Sequence, residues 1–114
     1  MPRTGSRDAE RYETLKREVA AVGLIRRGSL MRRLVACGKP NCCCQANPPR
    51  LHGPYYQWTR KIRGKTVTVR VNKAEAKLLA KWIANGRRLT KIVAQLERIS
   101  LRLTERQLRE LSKP

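Results

Sequence analysis

The chain has 114 residues with 27 Lys and Arg against 8 Asp and Glu, a net charge of +19, no phenylalanine and only 4% aromatic residues. That length allows one small domain with a modest aliphatic core, a size at which a metal or disulfide staple is commonly needed. No apolar run reaches membrane-spanning length and the N-terminus lacks the apolar middle of a signal peptide, so the expectation is a cytoplasmic protein, with no membrane association, that meets a polyanion.

From about Asp8, the residues Tyr12, Leu15, Val19 and Val22 recur three or four apart and predict a helix with one apolar face. Asp8 and Glu10 suit its positive end, and Gly23 is its stop. Residues 1–25 form this first segment. Gly28-Ser29 then punctuates the chain before Leu30–Val35, which reads as a strand. Between Glu18 and Glu75 there is no acidic residue, while twelve basic ones surround Cys37-x4-Cys42-Cys43-Cys44 and the only histidine, His52.

Structural zinc takes four thiolate or imidazole ligands in a tetrahedron, and Cys37, Cys42, Cys44 and His52 supply such a set for one structural Zn2+. Gly38, Lys39, Pro40 and Asn41 make a turn-prone spacer that lets Cys37 and Cys42 converge. In extended backbone Cys42 and Cys44 point the same way and Cys43 the other, which leaves Cys43 as the spare thiol unless it replaces a neighbour. In a reducing compartment clustered cysteines serve as metal ligands rather than disulfide partners. The alternative is a group of reduced thiols, with His52 capping a turn.

Tyr56, Trp58 and Ile62 alternate with polar residues, as do Val67, Val69 and Val71. A two-residue turn at Arg63-Gly64 sets Trp58 opposite Val69, Tyr56 opposite Val71 and Thr59 opposite Thr68, a hairpin in consistent register. Arg60, opposite Val67, is the misfit on its apolar face. Residues 26–72 thus make a β module with an inserted zinc knuckle. Asn72 and Glu75 form a capping box for the helix that follows, over residues 73–114. Its seam Leu89, Ile92, Leu96, Ile99 and Leu103 has coiled-coil spacing, and Asn85-Gly86 is expected to bend or split it. The seam either packs on the first helix or pairs two copies. The fold class is α+β: an N-terminal helix, a three-stranded antiparallel sheet whose first two strands are joined through the knuckle, and a long C-terminal helix.

The run GSLMRRLVACGKPNCCC at 28–44, followed by HGPYYQW at 52–58, resembles a family of small basic bacterial and phage proteins of unknown function. Its signature is CGKPNCRC with HGPYWY, and its members are often encoded in mobile elements. The resemblance implies a shared zinc-knuckle module and a nucleic-acid setting, with the motif ligands on Cys37, Cys42, Cys44 and His52. Where the signature has arginine, this chain has Cys43.

Lys and Arg that neutralise phosphates release counterions, and Arg binds two acceptors at once. The expected nucleic-acid contacts are Arg32, Arg33, Lys39, Arg60, Lys61, Arg63 and Lys65, with Tyr55 stacking on a base or bonding a phosphate. Trp58, Tyr56 and Trp82 read as core, and the basic residues of the last helix as its solvated face. The leading reading is a DNA-binding accessory or regulatory protein of a mobile element or phage, acting as a homodimer or in a larger nucleoprotein complex. An RNA-binding subunit of a ribonucleoprotein is the alternative. A nuclease fits least, because metal-assisted cleavage needs clustered carboxylates or several histidines, so the chain is not expected to be an enzyme.

Overall fold

The computed structural model describes residues 3–35, 41 and 50–112, with residues 3–6 and 35 in backbone only. Helix α1 spans Arg3–Ala21, strands β1, β2 and β3 span Ser29–Val35, His52–Ile62 and Lys65–Val71, and helix α2 spans Lys73–Ser112. The sheet is antiparallel in the order β1-β2-β3, so the α+β expectation holds. The segment of the expected knuckle, with Cys37, Lys39, Cys42, Cys43 and Cys44, lies outside the described residues. Among the described residues no helix is long and apolar enough to cross a membrane.

The chain divides into two units, Ile25–Ala84 and a second made of residues 1–24 with 85–114. The first twelve residues of α2 therefore group with the sheet. In the sheet unit, the valine alternation and the turn set the register. Trp58 pairs with Val69, Tyr56 with Val71 and Thr59 with Thr68. Arg63 and Gly64 both have positive φ, 50° and 79°, as a two-residue type I′ turn requires. One face of the sheet buries Trp58 and Val71 against Ala76, Leu79 and Ile83 of α2, with Leu30, Tyr56 and Trp82 packed around them. The capping box forms as expected: the Asn72 amide donates to Glu75 Oε1 at 2.9 Å, and the Glu75 amide donates to Asn72 Oδ1 at 2.8 Å. Gly28 is required where it stands, at φ 118°, because a Cβ there would meet Thr59 O at 2.4 Å and Trp58 Nε1 at 2.7 Å.

In the other unit, α1 and the distal part of α2 pack antiparallel, with Asp8 on Arg102 near one end and Gly23 against Asn85 near the other. Leu15, Ile92 and Ile99 are buried between them, and Tyr12, Val19, Val22, Leu96 and Leu103 pack around that cluster. Four of the five seam residues are thus engaged within the chain, while Leu89 is half-buried. Two expectations need correction. Helix α1 begins at Arg3 rather than near Asp8, so Asp8 lies in its second turn and serves as an ion-pair partner. Helix α2 runs unbroken through Asn85-Gly86. The Asn85 side chain donates to Leu24 O at 2.8 Å, so Asn85 ties down the residues that follow α1 while α2 continues past it.

Candidate functional site

The sheet has two faces, and its register sorts the basic residues between them. On the face turned away from α2, alternation places Ser29, Met31 and Arg33 on β1, Tyr55, Gln57, Thr59 and Lys61 on β2, and Thr66, Thr68 and Arg70 on β3. Cross-strand rows run Met31–Gln57–Arg70 and Ser29–Thr59–Thr68, and the two threonine hydroxyls of the second row are 2.9 Å apart. The Arg70 guanidinium lies 4.1 Å from the centre of the Tyr55 ring, which fixes a flat cation beside an aromatic plane. Among the described residues no carboxylate occupies this face. Across the sheet unit, fourteen Lys and Arg face a single acid, Glu75, a net of +13.

Of the residues expected to bind nucleic acid, Arg33, Tyr55 and Lys61 share this outer face. Arg63 and Lys65 are exposed at the hairpin turn, at the same end as Lys61. Arg32, paired with Tyr56, is exposed on the opposite, helix-facing side at the β1 edge. Arg60 also faces inward: its guanidinium sits 3.9 Å from the centre of the Trp58 ring, and Arg26 lies over the same ring at 5.1 Å. Arg26 is held there by its backbone, whose amide donates to Trp82 O at 3.1 Å, while Trp58 Nε1 donates to Arg27 O at 3.0 Å. Sequence reasoning did not assign Arg70 or Arg26 to a site. For Arg70 the signal was present, because the hairpin register itself sets it diagonally beside Tyr55 on one face.

His52 opens β2, is half-buried and pairs with Val35, beyond a register shift between Arg33 and Val35. The ladder therefore closes the ends of the 36–51 connection on each other.

The sequence profile of a family described as "Domain of unknown function (DUF6788)" matches residues 6–81. The match takes in most of α1, the whole sheet and the first turns of α2. No curated protein and no solved structure matches the chain.

Proposed function

We propose that this chain, which belongs to the DUF6788 family, is a nucleic-acid-binding accessory protein that lays the outer face of its sheet and its hairpin turn along a phosphate backbone. The observation that carries the reading is a carboxylate-free sheet face bearing Arg33, Lys61 and Arg70 beside Tyr55, continued by Arg63 and Lys65 at the turn. A surface of one sign costs self-repulsion, which phosphates relieve. DNA is the preferred partner, and a setting in a mobile element or phage rests on the motif resemblance. The chain's role in this reading is binding, not catalysis.

Structural zinc, held by Cys37, Cys42, Cys44 and His52, completes the proposal. The donor set suits zinc, and the Val35–His52 pairing brings the ends of the connection together. The ion's contribution is to staple that connection beside the basic face.

The test is binding to duplex DNA and to structured RNA across a salt series. The logarithm of affinity should fall linearly with that of salt, and each phosphate-contacting cation removed should reduce the slope for duplex DNA by about 0.9. Lys61→Ala with Arg63→Ala and Lys65→Ala should weaken binding and flatten the slope with the fold intact. Tight binding that ignores salt, or that survives these three changes together with Arg33→Ala and Arg70→Ala, refutes the interface. Salt-dependent binding to structured RNA alone moves the protein to the ribonucleoprotein class.

A further inference from the structure

The helix-facing side of the sheet unit holds a cleft that the backbone interface does not use. Its volume is about 420 Å³, and its walls include Arg26, Trp58, Arg60, Val69, Leu78 and Trp82. Leu78 is 51% exposed and Val69 36%, so apolar surface stays open to solvent beside two guanidiniums. The cations gather on one indole, Arg60 at 3.9 Å and Arg26 at 5.1 Å from its ring centre. Arg60 Nη1 is inaccessible to solvent and has no hydrogen-bond partner among the described residues. A buried charged donor left without an acceptor is costly, and an anion beside the same guanidinium offsets part of that cost through its charge, without touching the buried atom. Glu75 also borders the cleft, but its carboxylate, whose Oε1 receives the Asn72 amide, makes no hydrogen bond to Arg60 Nη1.

An open apolar wall beside paired guanidiniums is complementary to a flat ring joined to an anion. We propose that the cleft takes one unpaired nucleotide of a single strand, its base against Trp82 and Leu78 and its phosphate on Arg26 and Arg60. This rests on the nucleic-acid reading and deepens it, since a duplex keeps its bases stacked and paired and has no free ring to offer. Stacking on an aromatic side chain tolerates any base, so the cleft selects strand state rather than sequence.

The chain contains two tryptophans, Trp58 and Trp82, and both line this cleft. Intrinsic fluorescence therefore watches the cleft, while the anisotropy of a labelled oligonucleotide reports association anywhere on the protein. The experiment titrates the full chain with a twelve-nucleotide oligothymidine and, separately, with a duplex of the same length. Unlabelled strands are used for emission and labelled ones for anisotropy.

Single strand should quench tryptophan emission with the same midpoint as its anisotropy rise, and duplex should bind without quenching. Leu78→Glu, at an exposed position, should abolish the quench and weaken single-strand binding roughly tenfold. Its duplex affinity and circular dichroism should match the parent. Should that variant fail to fold, Arg26→Gln, also at an exposed position, is expected to weaken single-strand binding in the same selective way. Single-strand association without quenching, or equal quenching by duplex, overturns the cleft proposal and leaves the backbone interface standing. No association with either oligonucleotide overturns the cleft proposal too, and the absence of duplex binding separately counts against the interface.

Discussion

Asp8 is 8% exposed, and its two oxygens accept Nε and Nη2 of Arg102 at 3.0 Å each. Exposed ion pairs usually contribute little, but a two-point guanidinium grip on a carboxylate is the geometry in which they count. The hydrogen bond from Arg102 holds the Asp8 carboxyl below its ordinary 3.8, with burial opposing and the charges of Arg102 and Arg106 assisting. A carboxylate with a depressed folded-state pKa stabilises the fold fully above its unfolded value and loses that contribution as pH falls through the folded one. Asp8→Asn should therefore melt at a lower temperature than the parent at pH 7, and the gap should close as pH drops below 3.8. A gap that persists unchanged to pH 2 would sink the account. The same scale shows what single residues conceal in a sequence. Asp8 in an amphipathic repeat reads as a residue at the positive end of a helix, because its partner lies 94 positions away. Arg60 reads as a contact by charge alone, and what the sequence does not show is that its guanidinium stacks on the neighbouring indole.

The hairpin was the most legible element, because period-two alternation and a turn needing positive φ at Arg63 and Gly64 constrain each other locally. Element ends that depend on distant chain were less so. Helix α1 extends back to Arg3, although the apolar periodicity starts later, and α2 continues through a residue pair that usually punctuates. At Asn85-Gly86 a tertiary contact, from the Asn85 side chain to Leu24 O, accompanies the override of local propensity. The spacing of the seam from Leu89 to Leu103 was legible but its partner was not, since a stripe of this period fits equally a second copy or another helix of the same chain. The packing of Ile92, Leu96, Ile99 and Leu103 on Tyr12, Leu15, Val19 and Val22 decides what a charge placed there does. Leu96→Lys with Ile99→Lys should unfold the helix pair, at a cost of about 4 kcal/mol or more for losing buried aliphatic volume and burying an ammonium. Loss of helical circular dichroism together with proteolysis of α1 is the expected result. A folded variant that merely halves its mass by light scattering would instead make the seam an interface between copies.

Across the whole molecule the charge is unevenly shared. The unit containing the sheet carries fourteen basic residues and one acid, whereas the helical unit carries thirteen and seven. The excess sits on a thin core: five buried residues, one of them an alanine, hold three strands against the start of α2. Self-repulsion and a thin core together favour a further constraint, and the connection between β1 and β2 is where the sequence offers one. Cys37, Cys42, Cys44 and His52 read as a ligand set by spacing, and of these the three cysteines lie outside the described residues. Because ligands deprotonate and assemble only with the ion, metal affinity becomes folding free energy. Purified protein should contain one zinc per chain, and Cys42→Ala should lower that content, whereas Cys43→Arg should leave it unchanged. Both tryptophans lie in the sheet unit, so stripping the ion with a chelator should shift their emission toward that of unfolded protein and lower the midpoint of a denaturant titration. The affinity for duplex DNA should fall in parallel if the proposed ion staples the strands that carry the basic face. Zinc-free protein with native emission, an unchanged midpoint and full DNA affinity would remove the metal from the structure of this domain and leave its packing to the core alone.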